Sequence, residues 1–202
     1  MLARIEPVNI VLKRLNELPP HITYQQFNQL LDVVAEKYKT RKYGKKTQYW
    51  IQRDKLFLRL LWETGGRVSD VCNLTTSDID IQAKVINLRV KKTKKTIVLP
   101  MTAETMLEIV AYIRQYNIQG RLFSFGRIEA WKRIREYGKM IGIDGLHPHM
   151  FRHGLAIHLL QNGVPIPVIA SRLGHASIKT TLETYLVITP ELQRKFVENV
   201  LR

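Results

Sequence analysis

The side chains that could do chemistry lie in three short segments, each of which places arginine or histidine close to a glycine or a proline. The first segment runs from Thr64 to Asp70, where Gly65 and Gly66 let the backbone turn just before Arg67. Asp70 follows one helical turn later, so its carboxylate could hold the Arg67 guanidinium, or the two could form an ordinary surface pair. A guanidinium held beside such a turn is suited to binding an oxyanion through two N–H groups at once.

The second segment carries imidazoles and an arginine at the start of a predicted helix. Pro148 suits the first helical position, which places His149 and Arg152 on one face of the first turn. His149 and His153 also have the i, i+4 spacing of a zinc pair, but no glutamate follows the first histidine and Arg152 would repel the ion. The pattern therefore favours a phosphate site over a metal site. We expect His153 and His158 to be packing or supporting groups.

The third segment runs from Leu173 to Tyr185, with a glycine stop at Gly174 and a new helix after His175. On its own, Tyr185 would more often be a core or interface tyrosine. A phenol has a pKa of about 10 and is a poor nucleophile until a base removes its proton. The arginines and histidines of the three segments, together with lysines in a predicted hairpin, supply the bases and cations that such a nucleophile needs.

The elements that must position these segments are mostly helices. Residues 1–20 form a poorly patterned lead-in ending in a Pro–Pro pair, and a capping box at Thr23 and Gln26 opens the first helix. Further helices are predicted over 47–63, 69–74, 102–119, 127–140, 149–162, 165–173, 177–187 and 190–201. The β-rich stretches 85–90 and 96–99 predict a hairpin or meander with a lysine-rich tip, closed by Pro100. The fold class is therefore mainly α with a small antiparallel β-sheet.

The charge balance favours a polyanionic partner. The chain has 32 Lys and Arg residues against 17 Asp and Glu residues, a formal net charge of +15, and such a field attracts nucleic acid. An anionic membrane surface is the alternative, but the sequence shows neither a basic amphipathic helix of the expected type nor a span-length apolar stretch. The single cysteine, Cys72, excludes an internal disulfide and is expected to be a buried thiol. We expect a soluble, cytoplasmic protein without a membrane partner.

In their order along the chain, these segments resemble the tyrosine recombinases, also called the phage integrase family. Residues 64–70 resemble its first arginine box, residues 149–154 its His-x-x-Arg-His box, and residues 173–185 the box that carries the nucleophile. The resemblance covers about residues 21–202 and implies the catalytic domain of that family, with an α+β fold. It implies six site residues: Arg67, Lys92, His149, Arg152, His175 and Tyr185.

Two features of the resemblance concern individual positions. Lys92 is chosen by counting back from Pro100, where the family has a strand-closing proline, and the other lysines at the tip are Lys91, Lys94 and Lys95. Val187 stands where many relatives have histidine, and Gly154 stands where threonine is frequent. Neither position is catalytic, so we expect no loss of chemistry.

The resemblance also implies a reaction. Tyr185 would attack a DNA phosphodiester between Arg67 and Arg152, forming a 3′-phosphotyrosine that is resealed later without nucleotide hydrolysis. His149 would take the phenol proton or hold the phosphate, His175 would donate a further hydrogen bond, and the lysine would protonate the departing 5′-oxygen. The sequence contains no phosphate-loop motif and no acidic cluster for Mg²⁺, so no cofactor or metal is expected.

The implied partners are double-stranded DNA and further copies of the chain, in a tetramer on DNA. We expect a lead-in or linker remnant over 1–20, the catalytic domain over 21–189 and a C-terminal helix over 190–202. That helix could pack on its own core or dock onto a neighbouring protomer. Two alternatives to site-specific recombination are a type IB topoisomerase-like relaxation of DNA and a DNA-binding regulator that never cleaves. The complete set of six residues argues against the regulator.

Overall fold

The computed structural model describes residues 18–39, 46–91 and 93–175, together with positions 179, 181, 194, 197 and 198. Its elements confirm a mainly α fold with a small antiparallel sheet. The helices are α1 (Tyr24–Lys39), α2 (Thr47–Thr64), α3 (Val68–Cys72), α4 (Ala103–Gln115), α5 (Arg127–Met140), α6 (Pro148–Gln161) and α7 (Ile166–Leu173). The strands are β1 (Ile79–Asp80), β2 (Val85–Val90) and β3 (Lys95–Pro100). The predicted helices over 177–187 and 190–201 lie almost entirely outside the described residues.

Local signals set the ends of the first two helices. The predicted capping box of α1 is present: the Thr23 N–H donates to Gln26 Oε1 at 2.9 Å, and the Gln26 N–H donates to Thr23 Oγ1 at 3.1 Å. Helix α2 ends at Gly65, whose backbone is left-handed with φ of 57°.

The sheet is antiparallel in the order β1-β2-β3. Strand β2 pairs with β3 along its whole length, and Ile86, Leu88 and Val90 point to the buried side. The predicted hairpin is therefore confirmed. Strand β1 was not predicted, because its two residues are too few to show an alternating pattern.

The core is built around α2, on which Leu56, Phe57, Leu58, Leu60 and Leu61 are all buried. Burying one such side chain stabilises the fold by roughly 1.5–3 kcal/mol, and residues of α1, α4, α5 and α6 join the same apolar cluster. A helix buried on several faces is a rigid support, and its last turn leads directly to Arg67.

A buried charge network fastens α1 and α5 to α2 through Asp54. Its Oδ1 accepts from Arg53 Nε at 2.8 Å, and its Oδ2 accepts from Tyr38 Oη at 2.7 Å, Tyr137 Oη at 2.5 Å and Arg133 Nη1 at 2.8 Å. Burial alone would raise the pKa of the Asp54 carboxyl, but the guanidiniums of Arg53 and Arg133 outweigh it and hold the pKa below its usual value.

The chain before α1 passes directly over α6 at Gly154. The Ile22 N–H donates to the Met150 carbonyl at 3.3 Å, and a Cβ built on Gly154 would lie 2.2 Å from the Ile22 carbonyl oxygen. Glycine at this position, where the family that the sequence resembles often has threonine, therefore has a packing reason: only a residue without a Cβ fits beneath this backbone.

Within the described ranges, no helix is long and apolar enough to cross a membrane.

Candidate active site

Arg67 is positioned by a turn that Thr64 and Gly65 fix at the end of α2. Thr64 Oγ1 donates to the Leu60 carbonyl at 2.6 Å and accepts the Gly66 N–H at 3.0 Å, so the turn is closed by hydrogen bonds at residue 64. A Cβ on Gly65 would lie 2.7 Å from Leu173 Cδ2, which brings the end of α7 against this turn. Arg67 then precedes α3 with extended backbone angles. Among the described residues, its half-buried guanidinium makes no hydrogen bond or ion pair.

Asp70 does not hold that guanidinium, so the expected Arg67–Asp70 pair is wrong. Asp70 is buried, and its Oδ1 accepts the backbone N–H of Lys91 at 3.3 Å. The carboxylate lines a cavity of about 730 Å³ between α3 and the β2–β3 hairpin, together with Lys91, Lys94 and Lys95. Asp70 therefore holds the backbone where the lysine-rich tip begins, at Lys91. The N–H groups of the Arg67 guanidinium remain available to a ligand.

Arg152 lies where the C-terminal ends of α2 and α7 meet. It is 7% exposed, and its Nη1 donates to the Gly65 carbonyl and its Nη2 to the Leu173 carbonyl, both at 2.7 Å. Carbonyl groups at helix C-termini carry partial negative charge, which compensates the buried cation. These two bonds fix the plane of the guanidinium before any anion arrives.

His149 lies on the first turn of α6, beside the other histidines of that segment. The ring centroid of His149 is 6.4 Å from that of His147 and 6.3 Å from that of His153. Burial lowers the pKa of His149, and the positive charges of Arg152 and Arg67 lower it further. The imidazole is therefore biased towards its neutral form, which can accept a proton.

His175 follows a second left-handed glycine, Gly174, whose φ is 65°. A Cβ at this position would lie 2.2 Å from Ile97 Cδ1, so β3 packs directly on the turn. The His175 Nδ1 is 2.7 Å from Thr181 Oγ1, and this hydrogen bond orients the ring. Burial lowers the pKa of His175 to about 4, with added repulsion from Arg152 and Arg67. The DNA-free imidazole is neutral at pH 7.

Four of the six predicted site residues therefore lie close together: Arg67, His149, Arg152 and His175. Arg152 donates to the carbonyls of Gly65 and Leu173, which lie two positions before Arg67 and His175, and His149 precedes Arg152 by three positions in the same helix. The charges of both arginines lower the pKa of both histidines. Lys92 and Tyr185 lie outside the described residues. The neighbouring hairpin residue Lys94 is exposed and has a left-handed backbone with φ of 55°.

The remaining singled-out residues have packing roles. His158 stacks on the Tyr24 ring at 4.9 Å between centroids, as expected for a structural histidine. Cys72 is buried, and burial raises the pKa of its thiol to about 12, so it is an inert core group. In the described part of the chain, no group of three or more His, Cys, Asp or Glu side chains is arranged to hold a metal ion.

Sequence reasoning missed two contributors to the site. Thr181 lies within the third segment, where its residue type predicts no role, although its buried hydroxyl fixes the His175 ring. Trp131 on α5 stacks on His147, with centroids 5.9 Å apart and planes 18° apart. The signal that could have found Trp131 is a large aromatic residue among basic residues on a surface helix.

The sequence matches the phage integrase family over residues 21–191. It is 34% identical over 191 residues to the tyrosine recombinase XerA of Thermococcus onnurineus (strain NA1), a match that covers 90% of this chain and 62% of that protein. The fold is similar to the crystal structure of XerA recombinase, with a TM-score of 0.71, 26% identity, and coverage of 91% of this chain and 65% of that one.

The catalytic domain of bacteriophage HP1 integrase has the same fold, with a TM-score of 0.64 and 22% identity over 89% of this chain and 94% of that one. The chain thus spans under two thirds of the XerA relative but nearly all of a separate catalytic domain. On the family match and the shared fold, this chain belongs to the phage integrase family of tyrosine recombinases and carries its catalytic domain.

Proposed function

We propose that this chain cleaves and rejoins double-stranded DNA at specific sites through a covalent 3′-phosphotyrosine at Tyr185. The observation that carries the proposal is that Arg67 and Arg152 lie close to two neutral histidines, His149 and His175. Two guanidiniums at one point are suited to a phosphodiester, and neutral imidazoles beside them can accept or donate protons.

The arginines act on the charge that develops in the transition state. Arg152 is already oriented by two backbone carbonyls, and Arg67 makes no competing contact among the described side chains. Together they can hydrogen-bond the two non-bridging phosphate oxygens and stabilise the pentavalent state, without the side chains having to reorganise.

The proton transfers complete the step. The Tyr185 oxygen forms a bond to phosphorus while the bond from phosphorus to the 5′-oxygen breaks. His149 takes the phenol proton, and Lys92 on the hairpin gives a proton to the departing 5′-oxygen. His175, held by Thr181, donates a hydrogen bond to the phosphate. Rejoining reverses these transfers with a partner strand, so the linkage itself conserves the bond energy.

DNA as substrate agrees with the net charge of +15, and the similarity to XerA supports recombination as the outcome. Exchange of strands between two duplexes needs four active sites, so the working assembly is a tetramer on DNA. The C-terminal segment 190–202 would then contact a neighbouring protomer.

The test is covalent capture on a duplex that carries a nick close to the cleavage site. Cleavage then releases a short fragment of the strand, and because this fragment diffuses away, the covalent intermediate cannot be rejoined. Wild-type chain should give a protein–DNA adduct on denaturing electrophoresis, and Tyr185→Phe should give none. Tyr116→Phe, which removes a partly exposed phenol at the end of α4, is the matched control and should keep the adduct. An adduct that persists in Tyr185→Phe, or no adduct across a random duplex pool, would contradict the proposal.

A further inference from the structure

Arg172, in the last turn of α7, joins three elements through backbone carbonyls. Its Nε donates to the Glu63 carbonyl at 2.9 Å, in the last turn of α2, and its Nη1 donates to the Pro100 carbonyl at 3.1 Å, at the end of β3. The side chain is half-buried, and burial lowers the pKa of its guanidinium. Both acceptors are backbone groups of segments distant in sequence, so this side chain fixes the distances between three backbones.

The ends of α2 and α7 are joined a second time by Arg152. Its guanidinium donates to the carbonyls of Gly65 and Leu173, which lie close in sequence to the groups that Arg172 joins. Carbonyls in the last turn of a helix have no partner within the helix, so side chains can bind them. Without Arg172, the end of α7 would be held to α2 by hydrogen bonds of the same guanidinium that has to bind the phosphate.

Each of the three joined elements leads to a residue of the site. The end of α2 is followed by Arg67, the end of α7 is followed by His175, and β3 belongs to the hairpin whose tip includes Lys92. Strand β3 also packs on the turn before His175, since a Cβ on Gly174 would lie 2.2 Å from Ile97 Cδ1. A shift of the end of α7 relative to α2 and β3 would therefore displace the imidazole as well.

We infer that Arg172 is a positioning residue for DNA cleavage, which holds the end of α7 against α2 and β3 so that Arg152 and His175 meet the phosphate correctly. The inference rests on the proposed function, since it concerns the same reaction. The hydrogen bonds of Arg172 go to backbone carbonyls, so it acts through these two side chains. A misplacement of about 1 Å at a reacting group can slow a reaction about 100-fold.

Three variants of the full chain test the inference. Arg172→Ala removes both hydrogen bonds, whereas Arg172→Lys keeps the positive charge without the planar fork that reaches two carbonyls at once. Arg59→Ala is the matched control, because Arg59 is also a partly buried arginine and joins α2 to α4, through Glu104 at 3.3 Å and Glu108 at 2.9 Å. Circular dichroism confirms that each variant is folded at the assay temperature.

The first readout is the rate of covalent capture on the nicked duplex at saturating protein. Arg172→Ala should form the adduct about 10–100-fold more slowly than the wild type, because the two side chains at the phosphate are no longer held in place. Arg172→Lys should lie between these two rates, since lysine can still bond one carbonyl. Arg59→Ala should match the wild type.

The second readout needs no DNA. In the wild-type chain, burial and the charges of Arg152 and Arg67 hold the pKa of His175 at about 4. If the end of α7 moves away in Arg172→Ala, the imidazole becomes more exposed, and its pKa should rise towards the ordinary value of about 6.5. Between pH 7 and pH 5, the NMR resonance of His175 should therefore move in Arg172→Ala and stay constant in the wild type and Arg59→Ala. The spectrum of His175→Gln assigns the resonance.

An Arg172→Ala chain that captures DNA at the wild-type rate, or whose His175 resonance is constant from pH 7 to pH 5, would overturn the inference. The two readouts also separate it from the proposed function. An adduct that forms equally well in the wild type and in Arg172→Ala keeps the recombinase and removes the role of Arg172. If the wild type forms no adduct but the His175 resonance responds to Arg172→Ala, the cleavage reaction is refuted and the positioning of His175 stands.

Discussion

Gly174 sets the turn that carries His175, and Gly174→Ala measures how closely β3 packs against it. The new Cβ would lie 2.2 Å from Ile97 Cδ1, on a backbone with φ of 65°. A left-handed backbone destabilises alanine by about 1–2 kcal/mol, and the close contact of the new Cβ destabilises the folded state by about 1–3 kcal/mol more. We therefore expect Gly174→Ala to lower the free energy of unfolding by about 2–5 kcal/mol.

Two further variants separate these costs. Gly145 has φ of 74° with nothing within 4 Å of its Cβ position, so Gly145→Ala should cost only the backbone part, about 1–2 kcal/mol. Ile97→Val removes Cδ1 itself, and the next atom, Ile97 Cγ1, is at an ordinary 3.5 Å. In the Ile97→Val background, Gly174→Ala should therefore cost about as much as Gly145→Ala does.

Urea unfolding followed by circular dichroism at one pH gives each free energy, and equal m-values show that only stability has changed. The rate of covalent capture should fall with Gly174→Ala and recover in the double variant, because His175 is the next residue. If the alanine cost at position 174 equals that at 145, or is the same with and without Ile97 Cδ1, the close contact between β3 and this turn is refuted.

Four other predictions follow from the buried groups, the hairpin and the C-terminus. Asp54→Ala should cost about 3–5 kcal/mol in urea unfolding, because it leaves two arginines without their buried carboxylate; a cost below about 1 kcal/mol would contradict the network. Burial and the charge on His149 lower the pKa of His153 to about 4, whereas an unfolded histidine titrates near 6.5. The unfolded chain thus binds more protons between these values, and stability falls as pH drops from 6.5 to 4; His153→Gln should flatten that slope in pH-dependent unfolding. Lys92→Ala should cleave ordinary DNA slowly but a 5′-bridging phosphorothiolate at the wild-type rate, because sulfur leaves without a proton, while Lys91→Ala should match wild type on both. Deleting residues 190–202 should reduce strand exchange in a two-duplex assay, and undiminished exchange would count against protomer coupling.

The elements that were predicted correctly have signals within a few residues of each other. Thr23 and Gln26 form their capping box across one helical turn, and Gly65 ends α2 by its own backbone freedom. Strand β1 has no such signal, since only its pairing with β2 makes it a strand. The error at Asp70 has the same cause. Its partner is the backbone N–H of Lys91, 21 positions away, and a backbone group cannot be identified as a partner from residue types.

The site shows the same division. The residue types of Arg67, His149, Arg152 and His175 indicate a phosphate site, and the family pattern gives their order. What holds Arg152 in place are two backbone carbonyls, at residues 65 and 173, and every residue in the chain has such a group. Gly154 is similar, because the reason for a glycine there is a carbonyl more than a hundred positions earlier in the chain.

The two carbonyl bonds of Arg152 also affect how tightly DNA can be held. An arginine side chain that is free in solution carries about 2 kcal/mol of rotamer entropy, which is lost when a ligand immobilises it. Here Arg152 is immobilised at the meeting of α2 and α7 when the chain folds. The entropy loss therefore lowers the stability of the protein, and the affinity for the phosphate is not reduced by it.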